Sequence, residues 1–175
     1  MNAIVLYTSK YGSTKAYAEW IAEALGCEVR ETKKTRIEDL VPYDTIILGG
    51  GLYAEIIAGA HLLIKNAAAL KGKKVAIFST GITPLSYREY YDTYVLEKNF
   101  KDGIPENFKV FNFMGKMILG ELSVPHRTAI KALKKLMSGK KNPTEMEKLL
   151  TRLCDADGDF TDKDAIKPLL DYIRS

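Results

Sequence analysis

The sequence predicts an open, doubly wound α/β domain, and three observations predict it. Short β-rich runs recur along the chain and are nearly continuous in apolar residues instead of alternating, as parallel strands covered on both faces require. Helical periodicities fall between those runs. The length of 175 residues, 46% of them hydrophobic and 27% charged, suits one core and one domain, residues 1–175.

The first strand spans residues 3–7, and residues 13–25 form the first helix, with Tyr17, Trp20, Ile21, Ala24 and Leu25 on one stripe. Gly26 follows where a C-terminal cap glycine belongs. Residues 27–32 make a weaker strand, 44–48 the central one, 74–79 and 108–113 two more. Helices are expected over 58–70, 86–99 and 163–174. The last has Ile166, Leu169, Leu170 and Ile173 on its buried side, and Pro168 either starts its regular part or kinks it. In such a sheet, ligands bind beyond the carboxyl ends of the strands, which directs attention to the loops after Tyr7, Leu48 and Ser79.

The first of these loops, Thr8-Ser9-Lys10-Tyr11-Gly12-Ser13-Thr14, runs straight into a helix. Unpaired amides, a positive dipole end and several hydroxyls converge there, and Gly12 lets the backbone close around an anion, so the loop suits a phosphate. The alternative is that Ser13 or Thr14 only caps the helix. There is no GxxxxGK[ST] and no GxGxxG after the first strand, which argues against a P-loop and a dinucleotide site. A phosphoacceptor domain of this fold needs acidic residues at the strand ends, where Tyr7, Thr8, Gly49 and Gly50 stand.

Ser9, Gly12 and Thr14 match the pattern [ST]-x-[ST]-G-x-[ST], and in this the loop resembles that of the flavodoxin family; Tyr11 departs from it. The resemblance implies a parallel sheet of order 2-1-3-4-5 and flavin mononucleotide (FMN) as cofactor, its phosphate held by Ser9, Lys10, Tyr11, Gly12, Ser13 and Thr14. It further implies that Gly50, Gly51, Leu52 and Tyr53 flank the isoalloxazine. Ser79, Thr80, Gly81, Ile82 and Thr83 would close over its pyrimidine edge. Tyr53 is either a stacking aromatic or a packed loop residue, and Tyr87 either covers the ring or belongs to the helical series Tyr87, Tyr90, Tyr91 and Tyr94. None of the three loops carries a histidine or paired carboxylates, so no catalytic acid or base is assigned.

A net charge of +4 sets the chain apart from the acidic electron carriers of that family. The excess is local: residues 115–148 hold eight basic side chains against Glu121, Glu145 and Glu147. This stretch begins an insertion over about 115–160, whose helix has Ala129, Ile130, Leu133, Leu136 and Met137 on one side and Lys131, Lys134 and Lys135 on the other. It either docks on an anionic membrane surface or a lipophilic substrate, or covers the sheet with a solvated lysine face. The insertion is similar to that of the menaquinone-dependent protoporphyrinogen oxidases. That similarity implies an FMN-dependent oxidoreductase with a tetrapyrrole substrate and quinone as acceptor. A flavodoxin electron carrier with a redox partner, or a binding module that has lost its flavin, are the alternatives.

Cys27 and Cys154 lack metal or disulfide spacing, which fits a reducing cytoplasm and no metal site. Asp155, Asp157 and Asp159 fail as a calcium loop, because Phe160 and Ile166 stand where Gly and Glu are needed. Residues 45–64 are broken by Gly49, Gly50 and Gly51 and carry Glu55, unlike a membrane span. No basic leader precedes the first apolar run, so no secretory signal is expected, and no nucleic-acid motif is recognised.

Overall fold

The computed structural model describes residues 2–175. Strands β1 (Ala3–Thr8), β2 (Glu28–Glu31), β3 (Thr45–Tyr53), β5 (Lys74–Gly81) and β6 (Phe108–Met114) form a parallel sheet in the order β2-β1-β3-β5-β6. This is the expected order. A two-residue strand, β4 (Ile56–Ile57), folds back antiparallel on β3 through Leu52↔Ile57 and Tyr53↔Ile56.

Register puts alternate strand residues on opposite faces, and both faces are covered. Ile4, Leu6, Ile46, Leu48, Val75 and Ile77 join one hydrophobic cluster, while Val5, Ile47, Ala76 and Phe78 join the other. That two-sided burial is why the strands read as unbroken apolar runs.

Helix α1 (Ser13–Leu25) has the expected bounds, and Gly26 in a left-handed conformation ends it. Its buried stripe is Thr14, Tyr17, Ala18, Ile21 and Ala22, one position round from the expected one, with Ala24 exposed. The small Ala18 and Ala22 let the helix lie close to the sheet. On the same face, α6 (Lys167–Arg174) buries Leu169, Leu170 and Ile173, and Pro168 stands in its first turn, so the proline starts the helix.

The opposite face carries broken helices. Over 58–70 only α2 (His61–Ile64) is α-helical, because Gly59 turns the chain in at φ 82 and Asn66 leaves the helical region before a 3₁₀ turn at Ala67–Leu70. Over 86–99, Tyr90–Val95 widens into a π-helix before α3 (Leu96–Asn99). The buried Tyr91 hydroxyl donates there to the Thr83 carbonyl.

The insertion leaves the sheet after Gly115 and returns at Phe160, whose amide donates to the Gly115 carbonyl at 3.1 Å. Strands β7 (Lys116–Met117) and β8 (Gly158–Asp159) pair its two ends antiparallel. Between them lie α4 (Val124–Ser138) and α5 (Glu145–Leu153), the latter opened by Thr144 and Glu147 in a capping box. No helix among the described residues is long and apolar enough to cross a membrane.

Candidate functional site

The ends of β1, β3 and β5 and the insertion enclose a cleft of about 430 Å³, a volume ordinary for a small-molecule site. Ser9, Lys10, Tyr11, Ser13 and Thr14 form one end, Gly51, Leu52 and Tyr53 one wall, and Thr80, Gly81 and Ile82 the other. These are eleven of the sixteen residues expected from sequence, brought together by the parallel register that sets Thr8 beside Gly50 and Gly51 beside Thr80.

At the anion end, Gly12 adopts φ 95, which only glycine reaches without strain, and its amide donates to Ser9 Oγ at 3.1 Å. The helical ladder begins with the Ala16 amide on the Gly12 carbonyl at 3.0 Å, so the amides of Ser13, Thr14 and Lys15 precede it. No side chain caps them and no acidic residue stands in the first turn. The simple capping role is therefore not realised by Ser13 or Thr14. Thr14 instead pairs its Oγ1 with Thr80 Oγ1 at 2.7 Å, buried, and so ties the first loop to the third.

Tyr53 hangs from a two-residue turn, Ala54-Glu55, in which both residues have positive φ (48 and 62). Asn99 holds that turn: its Nδ2 donates to the Glu55 carbonyl at 2.7 Å, and its Oδ1 accepts from the Ile57 amide at 2.9 Å. Lys98 pairs with Glu55 at 3.0 Å. The Tyr53 ring lies over Gly51, where a Cβ would come within 3.0 Å of it, and 5.3 Å from the His126 ring. Burial raises its phenol above the ordinary value, and Tyr11 adds to the effect.

Five expected residues do not line the cleft. Gly12 shapes it through its backbone alone. Gly50 is buried in β3, where a Cβ would meet the Ala58 carbonyl oxygen at 2.2 Å; its glycine serves the fold-back of β4. The fully buried Ser79 donates to Asn112 Oδ1 of the neighbouring strand at 2.6 Å. Thr83 is buried against Tyr91, and Tyr87 packs on a hydrophobic cluster of the sheet, outside the lining of the cleft.

The insertion supplies what sequence reasoning missed. Gly115, Lys116, Met117 and Leu122 complete the rim, and His126, Ala129 and Ile130 of α4 roof the cleft. His126 stands three and four residues before Ala129 and Ile130, so helical spacing could have placed it on that face. Its Nδ1 lies 2.7 Å from the Tyr11 hydroxyl, which also meets Ser123 Oγ at 3.3 Å and accepts from the Ser123 amide at 3.3 Å. Lys10 Nζ donates to Ser123 Oγ at 3.2 Å. Burial pushes the Tyr11 phenol up, but the Ser123 hydrogen bonds and the Lys10 charge outweigh it and leave the group below its ordinary value. Tyr11, which departs from the expected pattern, is thus the anchor of the insertion.

These residues fit flavin mononucleotide. The free amides at the start of α1 answer a phosphate, and the cleft between Tyr53 and Thr80–Ile82 is largely apolar under its helical roof. No group of histidines, cysteines and carboxylates among the described residues is arranged to hold a metal.

Among solved structures, the chain is similar to a flavodoxin from the domain Archaea at 16% identity, covering 89% of this chain and 97% of that one with a TM-score of 0.46. It is similar to flavodoxin 2 of Bacillus cereus at 17% identity, covering 88% and 95% with a TM-score of 0.42. A flavoprotein of Lactobacillus acidophilus NCFM, solved in complex with FMN, aligns at 17% identity over 65% of this chain and 91% of its own, with a TM-score of 0.39. No curated protein matches the chain. A family model, the flavodoxin domain, matches residues 4–144, which span β1 to the end of α4 and so include every wall of the cleft. The chain belongs to the flavodoxin domain family.

Proposed function

We propose that this chain is an FMN-dependent oxidoreductase whose substrate meets the flavin under the insertion. The observation that carries this reading is the roof of the cleft: α4 buries none of its side chains in the protein, yet places His126, Ala129 and Ile130 over the site. An electron carrier works through an exposed ring edge, whereas a roofed and largely apolar cleft favours a bound organic substrate.

When bound, FMN supplies hydride or single-electron transfer at its ring. The chain does the rest. The amides of Ser13, Thr14 and Lys15 and the Ser13 hydroxyl receive the phosphate, and Tyr53 gives the ring an aromatic face. Leu52, Ile82, Met117 and Leu122 give the cleft an apolar lining. Tyr11 and His126 are hydrogen-bonded across 2.7 Å at its edge.

A tetrapyrrole substrate and a quinone acceptor are the specific form of this reading that the insertion suggests. Contact with an anionic membrane through α4 belongs to it as well: Lys131 and Lys135 are exposed beside Val124 and Leu136, whereas Lys134 is engaged by Asp155 at 2.6 Å. Reversing the charges of Lys131 and Lys135 should reduce sedimentation with anionic vesicles.

The decisive experiment is absorbance of the purified protein with and without added FMN, followed by turnover with a porphyrinogen and a quinone. A protein that stays colourless in excess FMN is a binding module. One that takes up FMN and is reduced by a flavodoxin reductase, but does not turn over, is an electron carrier.

A further inference from the structure

We infer that Lys116, the first residue of the insertion, binds the cofactor's phosphate and makes the protein select phosphorylated over unphosphorylated flavin; the inference rests on the FMN reading above. The backbone at Gly115 passes directly over the start of α1, where a Cβ on Gly115 would lie 3.2 Å from Ser13 Oγ. From there the Lys116 side chain crosses the phosphate loop: a Cβ on Gly12 would lie 3.8 Å from its Cε and 4.0 Å from its Nζ.

In the protein alone several positive groups meet here. Helix N-termini carry positive partial charge and attract carboxylates. The first turn of α1 has no acidic residue, Lys10 flanks the loop, and Lys116 adds a further positive charge at 25% side-chain exposure. Among the described residues its ion pair is with Glu121 at 3.4 Å, whose side chain is 57% exposed, a surface contact of small strength, and the Asp159 carboxylate, itself bonded to Thr161, feels its charge only weakly. Three amides without helical partners and a largely buried ammonium gathered at the same glycine call for an anion beside them. A phosphate dianion meets both and relieves the repulsion.

β7 holds Lys116 in this position through its pairing with Asp159 on β8, so the two ends of the insertion fix the lysine over a loop more than a hundred residues earlier in the chain. A phosphate at this point therefore bridges the nucleotide loop and the insertion.

The test is flavin-fluorescence titration of the apoprotein with FMN and, separately, with riboflavin, for the wild type, Lys116→Gln and Lys116→Arg. The wild type should bind FMN much more tightly than riboflavin. Lys116→Gln should weaken FMN binding on the order of 10- to 100-fold, the range for loss of one charge-assisted hydrogen bond, and leave riboflavin binding unchanged. Lys116→Arg should retain most of the FMN affinity, and the riboflavin titration shows that each variant is folded at the ring site. Unchanged FMN affinity in Lys116→Gln, or equal loss of both flavins, overturns the inference while the FMN reading stands. A wild type that binds neither flavin overturns the reading and the inference with it.

Discussion

Thr14 sets the distance between the first and third loops of the cleft, because its Oγ1 is buried against Thr80 Oγ1. Thr14→Ala leaves the Thr80 hydroxyl without its partner in a buried position, which costs about 1–3 kcal/mol. Urea denaturation should show that loss, FMN titration a weaker affinity, and Thr14→Ser should recover most of both. Tyr11 acts differently. Its ring is only half-buried, and its hydroxyl serves the insertion through His126 and Ser123. Tyr11→Phe should therefore move global stability by no more than about 1 kcal/mol, yet raise amide exchange in α4 while the amides of β1, β3 and β5 stay protected. Equal exchange in both regions would show that the link is not what holds the roof down.

The turn that carries Tyr53 is strained by design of the chain: Ala54 and Glu55 occupy left-handed backbone without being glycine. Such a conformation costs an alanine about 1 kcal/mol relative to glycine, and Asn99 offsets it with two hydrogen bonds. Ala54→Gly should accordingly raise stability by up to about 1 kcal/mol, read as a higher urea midpoint. Asn99→Ala should lower it and loosen Tyr53, read as faster quenching of its fluorescence or greater exchange at Ile57. Helical elements were legible in proportion to their local regularity. Residues 13–25 carry an amphipathic stripe bounded by Gly12 and Gly26, and α1 forms with those bounds, its buried stripe one position round. Residues 58–70 and 86–99 carry helical spacing too, but the turn at Gly59, the Asn66 side chain bonded back to the Leu62 carbonyl and the Tyr91 hydroxyl drawn to the Thr83 carbonyl override it. Gly50 misled for a related reason: the glycine is demanded by the backbone of Ala58, a contact between residues whose pairing no local pattern announces.

Across the whole molecule, the doubly wound class was readable because unbroken apolar runs alternate with helices, and the loops at its carboxyl edge followed from that class. The strand order came from the likeness of the first loop to that of the flavodoxin family. The roof of the cleft was not readable, since α4 packs on a cavity and not on a core, and a stripe such as His126, Ala129, Ile130 and Leu133 looks the same in sequence whichever it faces. This separation of sheet and roof is itself testable. No residue of the insertion belongs to either buried cluster, and only Met146 leans on one from outside. Because Met117 pairs directly with Gly158, residues 118–157 can be replaced by an Asn-Gly hairpin turn without moving β7 or β8. The shortened protein should unfold cooperatively with nearly the parent's urea midpoint. It keeps Lys116 and the loop around Gly12, so it should still prefer FMN to riboflavin, but with its roof gone it should release flavin faster in stopped-flow displacement and lose any substrate turnover. A shortened chain that binds flavin as slowly and releases it as slowly as the parent would mean that α4 rests on the cleft without closing it.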